Sequence, residues 1–354
     1  MAGALAARYP GTAALPRAGV ARLPTRVEKL PARGLAVGSL SVKRDDLTSP
    51  VYGGNKVRKL DFFLGEALAE KRRAVVTFGA YGSNHALATA VHARAVGLEP
   101  HAILSRQAPT AYARATVLAH AGLGTRVHPI EGWDGGSASQ GVVHELTSRD
   151  GVAPLVIPMG GSSALGVLGF VEAALELLEQ REPEFVYAAG GTLGTVVGLA
   201  VGFASAHART RVVAPRVTPA TVANDAVAAG LTRETVVLLR ELDPSFPEVA
   251  PDGLRLELRH EFFEPGYAIP TPRIEAAVAS AADLGLRLET TYTGKAFAAL
   301  LADAAEGRLA RADVVFWDTY NSAPLPAPGP TEALPPVLRE YVFECERLFG
   351  GASH

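Results

Sequence analysis

The chain has 354 residues, 48% of them hydrophobic, with 34 Lys and Arg against 36 Asp and Glu, a formal net charge of −2 and one cysteine. That apolar content suffices for one large or two medium domains. The near-neutral balance, with no basic block, leaves no electrostatic footprint for nucleic acid. No apolar stretch is long enough to span a bilayer as a helix, and a lone cysteine excludes an internal disulfide.

In chain order, residues 1–24 lack acidic side chains and are rich in Ala and Arg, a weak likeness to a transit peptide that Pro10, Arg17 and Arg22 interrupt. The stretch reads as a poorly ordered lead-in to a cytoplasmic protein. Apolar runs then predict strands at Ala74–Phe78, His101–Leu104, Thr125–Pro129, Pro154–Ile157, Phe185–Ala189, Arg211–Val213 and Asp313–Trp317. They are continuous rather than alternating, as strands covered on both faces should be. Helical patterns fall between them at Leu60–Lys71, Asn84–Val96, Leu165–Leu178 and Leu193–His207. Strand–helix alternation implies parallel sheets with right-handed crossovers. The glycine-rich run 132–141 is a candidate lid, and 215–265 carries no assigned chemistry. Cys345 lies in the helical pattern LREYVFECERLF (338–349) and reads as a packing residue.

Three polar runs interrupt these patterns. GGNKVRKL (53–60) puts Lys56 on a glycine-rich loop at a helix start. A lysine doing amine chemistry must be lowered from its free pKa of ~10.4 by burial or by a positive neighbour. Arg58 and Lys59 are such neighbours in sequence, and the two glycines would let the backbone approach a bound ring. GSNH (82–85) opens the next helix, where Ser83 and Asn84 are natural caps. GGTLGT (190–195) follows a strand and opens a helix, so its N–H groups can converge on a dianion. It lacks the Gly-Lys-Ser/Thr ending of a P-loop. The histidines, His85 and His92 included, show no metal-ligand spacing, and no metal is expected.

Together with SVKRDDLTSPVYGGNKVRKL (41–60), VVTFGAYGSNHALATA (75–90), VIPMGGSSALGVLGF (156–170), AAGGTLGTVVGL (188–199) and TYTGKAFAAL (291–300), these runs occur in the order seen in one family. The chain resembles the D-cysteine desulfhydrase and 1-aminocyclopropane-1-carboxylate (ACC) deaminase family of pyridoxal 5'-phosphate enzymes, of the tryptophan-synthase-β fold type (fold type II). The resemblance implies an α/β protein with two open twisted parallel-sheet domains and a cofactor cleft between them. The larger would comprise 1–59 and 169–354, and the smaller would be inserted at 60–168. A homodimer acting on a small amino acid is implied as well.

By the same resemblance, Lys56 matches the lysine that binds the cofactor covalently and moves the substrate Cα proton, while Lys59, one turn on, is its near double. Gly190, Gly191, Thr192, Leu193, Gly194 and Thr195 match the phosphate cup. Asn84 would contact the cofactor's phenolic oxygen. Ser83, with Asn84 and His85, would hold the substrate carboxylate. Tyr292 and Tyr267 match two active-site tyrosines, either able to transfer a proton. Thr319 would lie near the pyridine ring. Thr293 stands where the deaminase branch carries glutamate; with Thr319 it points to a neutral ring and so to α,β-elimination. The desulfhydrase branch reads His-Thr-Gly-Gly where this chain has Asp318-Thr319-Tyr320-Asn321, which bears on the substrate more than on the cofactor.

The leading expectation is a lyase converting a β-substituted, D-cysteine-like amino acid to a 2-oxo acid and ammonia. ACC deaminase, a β-replacement synthase and an amino-acid racemase are alternatives on the same scaffold, and a non-catalytic ligand-binding protein is a third class.

Overall fold

The computed structural model describes residues 3–32, 34–132 and 136–349. The chain opens with a short helix α1 (Ala4–Arg8), then β1 (Val27–Leu30), β2 (Ser39–Lys43), α2 (Lys56–Ala69), β3 (Ala74–Ala80), α3 (Asn84–Ala95), β4 (Glu99–Ser105), α4 (Ala111–Gly122) and β5 (Arg126–Ile130). It continues with α5 (Gly136–Asp150), β6 (Leu155–Ile157), α6 (Ala164–Gln180), β7 (Phe185–Tyr187), α7 (Gly194–Ser205), β8 (Arg211–Pro215), α8 (Asp225–Leu242) and β9 (Leu256–Arg259). The last elements are α9 (Pro272–Ala282), α10 (Thr293–Ala305), β10 (Asp313–Trp317) and α11 (Pro336–Phe349).

Two sheets result, of strand order β1-β2-β10-β7-β8-β9 and β5-β4-β3-β6. All ladders are parallel except β1 against β2. Every strand and helix expected from the apolar runs is present; β1, β2 and β9 are additional. β1 and β9 are short edge strands, and β9 (Leu-Glu-Leu-Arg) is half-buried along its whole length, with no apolar run to mark it. β2 reads Ser-Leu-Ser-Val-Lys and was hidden for another reason. Its polar face is buried too, against α6: Arg181 donates to Ser41 Oγ at 2.6 Å and Lys43 Nζ to Glu176 at 2.5 Å.

Contacts divide the chain into two units. One comprises the N-terminal segment to Leu15, Ala21–Lys59 and Ser162–Ser322, and carries the six-stranded sheet. Its core includes Val42, Tyr187, Val213, Val314 and Phe316 from the sheet, packed with Ala277, Phe297 and Leu300 of α9 and α10. Phe297 and Phe316 meet edge to face at 5.2 Å, and truncating either to Ala should cost ~3–5 kcal/mol. The second unit comprises Pro16–Val20, Leu60–Gly161 and the segment from Ala323 on, and carries the four-stranded sheet.

This division corrects two expectations. The C-terminal segment was placed in the larger domain, yet Leu338, Tyr341, Val342 and Cys345 of α11 pack on Tyr81, Leu104 and Val117 of the second unit. The N-terminus was read as disordered, yet Leu5 and Tyr9 are buried, with the Tyr9 ring 4.8 Å from Phe246 and its hydroxyl donating to the Ser205 carbonyl. Nothing local in the run gave a hint of these partners, which lie far along the chain, Ser205 at a separation of 196. In the candidate lid, 133–135 lie outside the described residues, and Gly136 already opens α5. Among the described residues no helix is long and apolar enough to cross a membrane, and no group of three or more His, Cys, Asp or Glu could hold a metal ion.

Candidate active site

In the first unit, β2, β10 and β7 are adjacent parallel strands, so the loops at their C-terminal ends emerge on one side. These loops carry Lys56, Thr319 and the Gly190–Thr195 cup. They are tied to one another. The Asn55 N–H donates to the Thr319 carbonyl at 3.2 Å, and Asn55 Nδ2 donates to Thr195 Oγ1 at 3.0 Å. The Gly53 N–H donates to Asn321 Oδ1 at 2.7 Å. Asn321, one of the residues departing from the desulfhydrase pattern, therefore clamps the lysine loop. Tyr320 beside it is buried.

The two glycines before Lys56 answer to the protein's own backbone. A Cβ on Gly53 would fall 1.9 Å from the Asp46 carbonyl oxygen; one on Gly54, at φ +96°, would fall 2.8 Å from that of Thr319. Tight loop–loop packing thus requires both glycines in the protein itself.

Lys56 is the first residue of α2 and half-buried. Burial brings its amine down to about 8. The expected help from Arg58 is not what lowers it. Arg58 turns into a buried cluster, donating to Asp45 at 2.8 Å and to Glu176 at 2.9 Å. Lys59 is fully buried, and burial first, then the charge of Lys56, hold its amine well below the usual range.

The cup is built around Ser162. Ser162 Oγ accepts from Lys59 Nζ at 3.3 Å and from the Gly194 N–H at 3.2 Å, and it lies 2.7 Å from Thr192 Oγ1. Leu193 takes a left-handed conformation, φ +63°, which turns the chain into α7. A Cβ on Gly194 would fall 2.7 Å from Lys59 Nζ. A helix N-terminus, a buried lysine amine and hydroxyl donors converge here, the donor set a phosphate dianion requires. These residues fit the phosphate of pyridoxal phosphate. Ser162 and the cupward direction of Lys59 were missed from sequence; the serine after Gly160-Gly161 was the available signal.

Tyr292 precedes α10, and a Cβ on Gly191 would lie 3.4 Å from its ring, which places the ring over the cup. Its hydroxyl is 2.8 Å from that of Tyr267. Burial pushes the Tyr267 phenol up to about 12, the hydrogen bond from Tyr292 pulling the other way. Lys295 fixes the Tyr267 loop from below, donating to the Phe263 and Gly266 carbonyls at 3.0 and 3.1 Å. Thr293 is buried, and its hydroxyl bonds Glu289, whose carboxylate also accepts the N–H groups of 291, 292 and 293. Glu289 thus sets the entry to α10 and the placement of Tyr292, a role no local motif announced.

In the second unit, β3 ends in the 81–83 loop, which leads into α3. Ser83 caps α3, accepting the Ala86 N–H at 3.2 Å, and keeps its own O–H as a donor. Asn84 is the first residue of α3, with its Oδ1 bonded by the Tyr112 hydroxyl. His85 points its ring inward, 2.9 Å from Thr77 Oγ1, and is buried. His92 is buried as well.

Residues 20–319 match the sequence family described as pyridoxal-phosphate dependent enzyme. The D-cysteine desulfhydrase of Klebsiella pneumoniae (strain 342) is 34% identical over 301 residues, covering 81% of this chain and 88% of that protein. Among solved structures, an ACC deaminase homologue gives a TM-score of 0.78 at 28% identity, over 91% of this chain and 96% of its own. A processed threonine deaminase isoform 2 from Solanum lycopersicum gives 0.59 at 17% identity, over 97% and 91%, and shares the fold.

Proposed function

The chain belongs to this family of pyridoxal-phosphate-dependent enzymes of fold type II, and on that premise we propose that it is a lyase removing a β substituent from a small, D-cysteine-like amino acid. The observation that supports this most directly is the cup: a buried lysine, three hydroxyls and a helix N-terminus, bonded through Asn55 to the Lys56 loop and lying beside the Tyr292 ring. The relative named D-cysteine desulfhydrase supports the substrate class.

Bound pyridoxal phosphate supplies the electron sink that makes a substrate Cα proton removable and a β substituent a leaving group. The protein's residues do the rest. Lys56 Nζ would hold the cofactor covalently and, with a pKa of about 8, would act as the acid and base at the substrate Cα. Gly190, Gly191, Thr192, Leu193, Gly194 and Thr195, with Lys59, would hold the phosphate. Asn84 would contact the cofactor's phenolic oxygen. Ser83, with Asn84 and His85, would take the substrate carboxylate. Tyr292, steadied by Tyr267, would deliver a proton to the departing β group. Thr319 would lie near the pyridine ring. Elimination followed by hydrolysis yields 2-oxo acid and ammonia, with sulfide as third product from a thiol substrate. Homodimeric assembly and a cytoplasmic location are part of the same reading; sedimentation and cell fractionation test them.

The ACC deaminase homologue favours a second reading, cyclopropane opening on the same scaffold. Purified holoprotein given D-cysteine, L-cysteine, β-chloro-D-alanine and ACC separately decides between them. Oxo acid from D-cysteine or β-chloro-D-alanine alone supports the lyase. Oxo acid from ACC alone supports the deaminase. No oxo acid from any of them overturns both.

A further inference from the structure

On the reading of residues 190–195 as the phosphate cup, we propose that Thr218 is a positioning residue for it: its hydroxyl holds the Gly191 carbonyl and so turns the Thr192 N–H toward the cofactor phosphate. Thr218 lies just past β8, in the same unit as the cup, and is buried. Its hydroxyl donates to the Gly191 carbonyl at 2.9 Å. The Gly190 carbonyl is held beside it, accepting the Val217 N–H at 3.1 Å, while the Gly190 N–H donates to the Pro215 carbonyl at 2.8 Å. A trans peptide carries its C=O and its N–H on opposite sides. With both carbonyls committed to 217 and 218, the N–H groups of Gly191 and Thr192 point away from that segment. Among the described residues no protein acceptor meets these two N–H groups or that of Leu193.

The two carbonyls are held by different means. That of Gly190 is bonded by main chain, whatever side chains stand at 217 and 218. That of Gly191 is bonded by a side chain, next to a residue with no Cβ, where the peptide unit can rotate at little steric cost. Rotated, it would show the phosphate its own oxygen, and two acceptors repel. The Thr218 hydroxyl prevents this rotation, and Thr218 is itself held. Arg216, also buried, donates from Nη1 to the Thr218 carbonyl at 2.6 Å and from Nε to His260 Nδ1 at 3.0 Å. Its guanidinium carbon lies 4.3 Å from the centroid of the Phe263 ring. Arg216 also bridges Gly190 along the sheet, so the segment that carries Thr218 and the start of the cup keep one register.

The test compares the dissociation constants of pyridoxal 5'-phosphate and of pyridoxal, which lacks the phosphate, from the purified apoprotein of the wild type, Thr218→Val and Thr218→Ser. Thr218→Val keeps the shape and removes the O–H. It should weaken pyridoxal phosphate about tenfold, the size of one hydrogen bond to a charged group, and leave pyridoxal unchanged. It should also shift the phosphorus NMR resonance of the bound cofactor. Thr218→Ser keeps the O–H and should return both readings to those of the wild type. Unchanged binding in Thr218→Val, equal losses for the two ligands, or a loss in Thr218→Ser as large as in Thr218→Val overturns the inference. Melting of the apoprotein checks the fold. If Thr218→Val melts early, Thr218→Ala replaces it and is read by the same ratio of affinities: a preferential loss of pyridoxal phosphate supports the inference and an unchanged ratio overturns it. A wild-type protein that binds no pyridoxal phosphate overturns the functional reading itself, and one that binds both ligands equally overturns the cup. Wild-type preference for the phosphate form with no effect at Thr218 overturns only this proposal.

Discussion

The phenolic oxygens of Tyr267 and Tyr292 lie 2.8 Å apart, and their rings meet edge to face with centroids 6.1 Å apart. Either hydroxyl can be the donor of the pair. Burial pushes Tyr267 up to about 12, so it keeps its proton throughout the working pH range. When Tyr267 donates, Tyr292 is left to direct its own proton toward the cup its ring covers. Tyr292→Phe should therefore lower kcat about 10²-fold with the cofactor still bound, the scale of a lost general acid. Tyr267→Phe, which removes only the orienting bond, should cost about tenfold. Steady-state kinetics on the substrate found above decides; a larger loss at Tyr267 reverses the assignment.

Much of this arrangement could be read before the fold was seen, and the exceptions share a cause. Strands such as β3 and β10 announce themselves as apolar runs because both their faces are covered. The Lys56, Ser83 and Gly190–Thr195 loops announce themselves because helix starts and close backbone approach restrict residue choice locally. What stayed hidden depends on partners far along the chain. Arg58 looked like a charge beside Lys56 until Glu176, 118 positions away, claimed it. The inward turn of the His85 ring depends on Thr77, a residue of the preceding strand. Lys59 looked like a spare copy of Lys56 until Ser162 showed which way it points.

Lys56 and Lys59 make separable predictions. Capture of the cofactor by Lys56 needs the neutral amine, whose fraction grows as pH rises through about 8. The rate of covalent capture by apoprotein, followed by absorbance, should rise over that interval and level off above it. Lys56→Ala should abolish capture. Lys59→Ala should retain it while weakening pyridoxal phosphate binding more than tenfold and leaving pyridoxal, which lacks the phosphate, almost unaffected. Equal losses for both ligands would remove Lys59 from the phosphate cup.

Glu176 holds two buried cations, with Arg58 at 2.9 Å and Lys43 at 2.5 Å. Burial alone would raise its carboxyl; the charges and hydrogen bonds of Arg58 and Lys43 outweigh that and bring it to about 2. A folded value below the unfolded ~4.3 means stability that is complete above pH ~4.3 and lost as pH falls through about 2. Glu176→Gln leaves Lys43 without a carboxylate and Arg58 with Asp45 alone, and should cost ~3–5 kcal/mol at neutral pH. Denaturant titration measures it, and a loss under ~1 kcal/mol would mean the cluster relaxes to find water.

Asp318 is the opposite case. It is buried, and its side chain accepts the Tyr320 N–H at 3.2 Å. Burial, then repulsion from Asp46, raises its carboxyl well above the usual range. A folded pKa above the unfolded ~3.9 gives a contribution present at low pH and lost as pH rises through the folded value. Asp318→Asn keeps the acceptor for Tyr320 and removes the ionisation. Its melting temperature should match the wild type or fall slightly at pH 5 and exceed it at pH 8 by a few degrees, the shift expected of ~1 kcal/mol. A gain of equal size at both pH values would assign the effect to packing, because only an ionising group can make the difference between variant and wild type grow with pH.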